Sequence, residues 1–304
     1  MRDTVQQSSS WLSLAGLNKG VVHLTQIGII VGSLRQAAYS QKVANVLANL
    51  LPVQLTPVFI DIGQLPLYNA DLDEDDTVPA WQTFRQQLDD VDGLIIVTPE
   101  YNRGMTGALK NAFDVGSKRR NHWKHQIALV VSSSPEATGG FGANQQVRQV
   151  LVTLNVFPVQ RPEVYLGHVN HLFNDQNLMT NLDTLSFLQT AVNAFVALQA
   201  KFDPQPADDL NALAIKYEPG RFYINGENGS TLAEIIFHDQ QNKRIMVTNT
   251  QVSEQLRGQG IAKRLMLRVI RFAQIYHLTI IPDCSYAQKF LEKHPEYQDL
   301  FTTN

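Results

Sequence analysis

Between residues 24 and 202, short apolar runs alternate with amphipathic stretches, and that alternation narrows the fold more than any other feature of the chain. Ile27-Gly28-Ile29-Ile30-Val31 is apolar at every position, as a strand covered on both faces must be. Val43, Val46, Leu47, Leu50 and Leu51 then fall on one face of a helix that Pro52 stops. Further strands are predicted at 58–60, 94–97 and 127–131. Helices are predicted around 81–88, 107–113 and 144–151, and a long one, with Leu185, Leu188, Val192, Phe195 and Val196 inward, closes near Phe202. Strand–helix alternation of this kind predicts an α/β fold, a doubly wound parallel sheet with helices on both faces. Ligands of such sheets bind beyond the carboxyl ends of the strands, which directs attention to the loops after Val31, Val97 and Val131.

The first of these loops is Gly32-Ser33-Leu34-Arg35-Gln36-Ala37-Ala38-Tyr39-Ser40-Gln41, leading into the helix. Small and hydroxyl residues, an arginine and a helix amino terminus together suit an anion such as phosphate. The same residues also fit a plain strand–helix turn with Ser40 as cap. No Gly-Lys-Ser/Thr and no three-glycine dinucleotide fingerprint is present. The second loop, Thr98-Pro99-Glu100-Tyr101-Asn102-Arg103-Gly104, precedes Gly107-Ala108-Leu109-Lys110-Asn111-Ala112-Phe113-Asp114. The third carries Ser132-Ser133-Ser134 and Gly139-Gly140.

Taken together these loops resemble the NADPH-dependent FMN reductase family, flavodoxin-like quinone, azo-dye and chromate reductases. That family has a Gly-Ser-x-Arg loop after its first strand and a Pro-Glu-Tyr-Asn loop before Leu-Lys-Asn-Ala-x-Asp. The resemblance implies that Ser33, Arg35, Ser40 and Gln41 hold the FMN phosphate. It implies that Pro99, Glu100, Tyr101, Asn102, Arg103 and Gly104 line the flavin ring, mostly through backbone N–H groups. Ser133, Gly139 and Gly140 would cover its far side. The chain departs from the family pattern at Ala37 and Ala38, where glycine or serine is common, and at Thr106, where proline is common. The implied chemistry is hydride transfer from NAD(P)H through FMN to a quinone, free flavin, azo or similar small-molecule acceptor. It needs no general acid or base, so no catalytic side chain is assigned here.

Asp203-Pro204-Gln205-Pro206-Ala207-Asp208-Asp209 breaks the alternation, and 203–213 is read as a linker. The texture then changes to antiparallel strands at 221–224, 231–238 and 244–247 around two Asn-Gly pairs. A glycine-containing loop, Arg257-Gly258-Gln259-Gly260-Ile261-Ala262, precedes an amphipathic helix, where consecutive N–H groups can face a diphosphate. Arg257-x-x-Gly260-x-Ala262, with Pro282-Asp283-Cys284-Ser285-Tyr286-Ala287 and Lys293-His294-Pro295-Glu296-Tyr297, resembles a minimal branch of the GNAT N-acetyltransferases. The resemblance implies a smaller α+β domain binding acetyl-CoA through Val252, Arg257, Gly258, Gln259, Gly260, Ile261 and Ala262. It places Cys284 and Tyr286 near the thioester, Tyr286 as proton donor to the leaving thiolate. Cys284 equally fits a small buried apolar residue.

The expected organisation is an extension at 1–23, a flavodoxin-like domain at 24–202, the linker at 203–213 and a GNAT-like domain at 214–304. A net charge of −3 offers no basic field for nucleic acid, and 44% hydrophobic with 17% charged residues is the balance of a globular core. One cysteine, Cys284, rules out an intramolecular disulfide and points to a reducing cytoplasm. No apolar run has the roughly 18 residues a membrane span needs. His122-x-x-His125 and His168-x-x-His171 lack cysteine or paired acidic neighbours, so no metal is expected. A homodimer or homotetramer is expected by resemblance. The leading reading is an oxidoreductase with a fused acetyltransferase-like module. The competing one is an acetyl-CoA-dependent N-acetyltransferase whose flavin domain is a redox sensor or a non-enzymatic interaction module.

Overall fold

The structure is a computed structural model describing residues 25–75, 77–202, 215–226 and 228–302. The predicted extension and linker therefore lie outside the described residues. The first half runs β1 (Thr25–Val31), α1 (Tyr39–Leu50), β2 (Leu55–Ile60), α2 (Pro79–Asp89), β3 (Gly93–Pro99), α3 (Gly107–Gly116), β4 (Ile127–Ser133), α4 (Phe141–Thr153), β5 (Phe157–Pro158), β6 (Val164–Leu166) and α5 (Leu182–Phe202). The strands pair in parallel in the order β2-β1-β3-β4-β5, and β6 pairs with β4 further along. This is the flavodoxin-like order, in which the direction of winding reverses between β1 and β3.

Burial explains the sequence pattern. Ile27, Ile29, Ile30 on β1 and Leu94, Ile95, Ile96, Val97 on β3 are all buried, as are the apolar residues of β4. One apolar layer holds α1 and α5 against Ile27, Ile29, Ile95, Val97 and Leu129. The opposite layer holds α2 and α3 against Ile30, Leu94, Ile96 and Val130, with Trp81, Phe84 and Trp123 filling it. Within that layer the Arg85 guanidinium forms a two-pronged, buried bond to Asp73 at 2.8 Å and also donates to the Val115 carbonyl. The Arg85 fork holds the Asp73 carboxyl below its ordinary range.

The second half runs β7 (Lys216–Glu218), β8 (Arg221–Asn225), β9 (Thr231–Gln240), β10 (Arg244–Val252), α6 (Ile261–Tyr276), β11 (Thr279–Pro282) and α7 (Ser285–Lys293). Its sheet has the order β11-β10-β9-β8-β7, antiparallel except for the β10–β11 pair. β10 is five residues longer than the predicted 244–247, so Val252 ends a strand and does not sit in the loop. The two halves share one core: Val43, Leu47 and Leu50 of α1 belong to the same apolar cluster as Phe222, Leu265 and Phe272. Arg271 of α6 donates to the carbonyls of Leu51, Pro52, Val53 and Leu55, the chain that leaves α1.

Candidate functional site

The loops after β1, β3 and β4 meet at the carboxyl edge of the first sheet, at its reversal point. Registry brings them there: Thr98 pairs with Ser132 and Pro99 with Ser133, while the Gly32 amide donates to the Val97 carbonyl at 2.8 Å. Ser33 Oγ lies 3.4 Å from the Tyr101 hydroxyl, joining the first loop to the second.

The amino end of α1 is built for an anion. Its N-cap is Ala38, which has no side chain to offer, and its first turn carries no acid. Gln41 and Lys42 amides reach the Ala38 carbonyl, but those of Tyr39 and Ser40 have no acceptor among the described residues. The Ser40 hydroxyl, expected as an alternative cap, is buried and has no partner among the described residues. Free amides, an unpartnered hydroxyl and the positive end of the helix dipole fit a phosphate group. Arg35 is exposed at the mouth of this loop. Gln41 points elsewhere: its amide donates to Asn45 along the helix, at 3.0 Å.

The second loop is a tight reversal. Tyr101 and Gly104 exchange backbone hydrogen bonds of 2.9 and 3.0 Å across Asn102 and Arg103, both with positive φ, 51° and 69°. A two-residue reversal of this kind requires positive φ at both central residues, as at Asn242 and Lys243 between β9 and β10. The amides of Asn102 and Arg103 take no acceptor among the described residues, and Tyr101 is 52% exposed. Glu100 is committed to structure, since its carboxylate accepts from the Ala143 amide at 3.0 Å in the first turn of α4. The third loop closes on Gly139 and Gly140, at φ 61° and 78°. A Cβ on Gly139 would lie 2.7 Å from the Tyr165 carbonyl carbon, so only glycine fits. Ser133 Oγ beside it is buried and unpartnered.

Two supports of this site come from residues outside the expected set. Thr106, the departure from the family pattern, caps α3 by accepting from the Leu109 amide at 3.2 Å and donates to the Gly32 carbonyl at 2.5 Å. Gln146 on α4 accepts from the Met105 amide at 3.0 Å. Only the Thr-x-x-Leu spacing before a helix hinted at the first, and nothing local hinted at the second. A cleft of about 1570 Å³ lies away from this edge, between the two halves, bordered by Gln41, Lys42, His238, Lys243 and His277. It meets the first loop at Gln36, Ala37 and Gln41, and neither Ser33, Arg35, Ser40 nor the loop at 99–104 lines it, so the three-loop edge is the better ligand site.

In the second half, β10 and β11 pair only over Arg244–Val247 and Thr279–Pro282. Past a bulge between Val247 and Asn249, β10 continues on β9 and its ladder with β11 ends. Cys284 follows this end as the N-cap of α7: its sulfur accepts from the Ala287 amide and lies 3.4 Å from Thr250 Oγ1. Tyr286 is half-buried, and burial together with the nearby Cys284 raises its phenol above the ordinary value. Val252 ends β10, while Gly258 and Gly260 both have positive φ and Gly260 caps α6 with no side chain. Arg257, 68% exposed, pairs with Glu254 at 3.6 Å. The structure thus groups Arg257 to Ala262 around the start of α6, and Cys284 with Tyr286 at the start of α7.

The family model for NADPH-dependent FMN reductases matches residues 25–171. A quinone reductase of Pseudomonas putida is 44% identical over 173 residues, covering 56% of this chain and 92% of its own. The chain belongs to the NADPH-dependent FMN reductase family. It is an enzyme of the oxidoreductase class, and FMN and NAD(P)H are the cofactor and reductant that membership brings. A 2-hydroxy-1,4-benzoquinone reductase of a Burkholderia species is 37% identical, covering 57% of this chain and 94% of its own. Among solved structures, a flavoenzyme NAD(P)H:(acceptor) oxidoreductase of Paracoccus denitrificans superposes with a TM-score of 0.56 at 30% identity, over 59% of this chain and 98% of its own. Residues 221–300 match the family model for GCN5-related N-acetyl-transferases and form a domain of that kind. No helix among the described residues is long and apolar enough to cross a membrane.

Proposed function

We propose that the first domain reduces quinones and related small acceptors with NAD(P)H, and that the second binds acetyl-CoA and transfers its acetyl group. The observation that carries the first part is the start of α1, where two amides and the buried Ser40 hydroxyl have no partner among the described residues. In this reading Ser33, Arg35 and Ser40 bind the FMN phosphate with the Tyr39 and Ser40 amides, while Gln41, whose amide and side chain are engaged by Ala38 and Asn45, would have to turn to join them. When bound, FMN supplies the two-electron relay between NAD(P)H and the acceptor. The chain's own part is to orient and to polarise. The Asn102 and Arg103 amides, fixed by the reversal at 101–104, donate toward the ring and favour its electron-rich form. Pro99, Glu100 and Gly104 shape that reversal, and Ser133, Gly139 and Gly140 form the opposite wall. Exposed Tyr101 offers a flat surface for an aromatic acceptor.

The domain limits of this reading are 24–202 and 214–304, with a cytoplasmic protein that assembles as a homodimer or homotetramer. For the second domain, the end of the β10–β11 ladder at Val247 and Pro282, with β10 running on past it, supports transferase activity. Val252 and 257–262 would hold the diphosphate, and Tyr286, kept protonated by burial, would protonate the departing thiolate beside Cys284. Anaerobic single-turnover reduction of the purified flavoprotein by NAD(P)H, followed by mixing with a benzoquinone, tests the first activity. A flavin that is reduced but not reoxidised by quinone would sink it. Titration of acetyl-CoA into wild type and Gly260→Asp tests the second, and equal affinity would remove it.

A further inference from the structure

The first turn of α1 carries a lysine that the FMN phosphate site leaves unused. Lys42 is half-buried, its ammonium held 4.9 Å from the centre of the Tyr39 ring and 5.7 Å from that of Phe173. No carboxylate among the described residues pairs with it. Beside it lies the open cleft of about 1570 Å³ between the two halves. That cleft begins at Gln36 and Ala37 of the first loop and follows Gln41, Lys42 and Asn45 along one side of α1. Pockets for drug-sized ligands span about 300–1,000 Å³, so a nucleotide has room in it.

The lining has the chemistry that an adenylate needs. The second half contributes Lys243, His238 and His277 to the wall facing Lys42, and a single acid, Asp239. Arg271 also borders the cleft, but its donors are spent on backbone carbonyls. Phe59, on the edge strand β2, is 40% exposed and offers a flat apolar face on which a base can stack. Gln176 and Asn177 bring carboxamides that nothing engages among the described residues. Carboxamides of Asn and Gln are the side chains that match the N6 and N7 edge of adenine. Continuity with the start of α1 selects among adenylates. A phosphate on the Tyr39 and Ser40 amides can be the first of a pyrophosphate whose second member meets Lys42, with the nucleoside beyond it in the cleft.

We propose that the cleft receives the adenylate half of FAD, so that the chain takes FAD as well as FMN and the second domain forms one wall of the flavin site. This rests on the start of α1 holding a flavin phosphate, and the test separates the two. Calorimetric titration of FMN and of FAD into the flavin-free, full-length protein reads both. FAD should bind within about tenfold of FMN or more tightly. Lys42→Gln and Lys243→Asn should each weaken FAD at least about fivefold and leave FMN within about twofold. Asparagine is at home at the positive φ of 57° that Lys243 has in its turn, so the second variant keeps the fold. FAD binding more than about tenfold weaker than FMN overturns the proposal. So does FAD affinity unchanged by both substitutions, the mark of an adenylate left in solvent, or an equal loss of both flavins. Were the cleft to take the adenylate of NAD(P)H, the substitutions would raise the KM for NAD(P)H and spare FAD, which overturns it too. If neither flavin binds, the phosphate site at α1 falls and the adenylate site with it; FMN bound without FAD removes the adenylate site alone.

Discussion

Thr106→Val removes one hydroxyl from a buried junction and leaves its shape almost unchanged. Thr106 is 4% exposed, its hydroxyl joins the Gly32 carbonyl to the Leu109 amide, and both bonds lie in the interior. Loss of a helix cap costs about 1 kcal/mol. An orphaned buried carbonyl at Gly32 adds about 2 kcal/mol. The sum, about 3 kcal/mol, corresponds to about 6–12 °C of melting temperature for a domain of this size. Gly32 opens the loop before α1, so part of the loss should also appear as weaker FMN binding. Scanning calorimetry of the flavin-free protein and fluorescence titration with FMN measure the two effects. Thr106→Ser, which keeps the hydroxyl, should stay close to wild type in both. A valine variant within about 0.5 kcal/mol of wild type, the range of neutral surface changes, would refute the reasoning.

Gly139→Ala should weaken FMN binding at least about tenfold, because its Cβ meets backbone at 2.7 and 2.9 Å that cannot yield, and φ is 61°. Flavin fluorescence reads this, and unchanged affinity would remove the third loop from the site. Asp73→Asn strands Arg85 in the interior and should cost about 3–5 kcal/mol at neutral pH. The folded-state Asp73 carboxyl lies below its unfolded value, so its contribution is complete above about pH 4 and disappears as pH falls through the folded-state value. The melting-temperature gap between wild type and Asp73→Asn should accordingly narrow only below pH 4; a gap constant down to pH 2 contradicts the linkage. Tyr286→Phe should lower kcat for acetyl transfer by about 10²–10⁴-fold while leaving the acetyl-CoA dissociation constant unchanged. Steady-state kinetics with calorimetric binding check this, and a loss carried wholly by affinity would reassign Tyr286 to binding.

The buried parallel strands were legible because nothing else explains five apolar residues in succession, as in 27–31 or 127–131. β2 was only half visible, since Leu55 to Pro57 lack a continuous apolar run. Pro57 is tolerated there because β2 is the edge strand, paired among the described residues with β1 alone. The far half of β10, Asn249-Thr250-Gln251, reads as polar loop yet pairs with β9; it has lost β11 on its other side. The three loops of the site were legible as short motifs. Their mutual supports, Thr106 to Gly32, Glu100 to Ala143 and Met105 to Gln146, join residues 41 to 74 apart and have no local signature. Least legible was the docking of the two halves. Arg268 and Arg271 look like part of a solvated helical face, and only their bonds to the backbone carbonyls that end α1 show otherwise.

That docking bears on how the two chemistries could influence each other. Helix α1 presents its amino end to the proposed FMN phosphate and its carboxyl end to Arg268 and Arg271, which complement its dipole. An electrostatic signal along the helix is the obvious route but a weak one. The helix has 12 residues, so its ends are about 18 Å apart, while dipole effects fade within a turn. Packing is the stronger connection. Val43, Leu47 and Leu50 share one apolar cluster with Phe222, Leu265 and Phe272, and close-packed interiors transmit displacement. The start of α6 is the proposed acetyl-CoA loop, so any reseating of α6 by that ligand would press on the face of α1 opposite its sheet. Coupling by this route would change the seating of the Ser40 turn, and hence FMN affinity. It would reach the proposed flavin-ring edge at 99–104 only indirectly, through β3, against which α1 also packs.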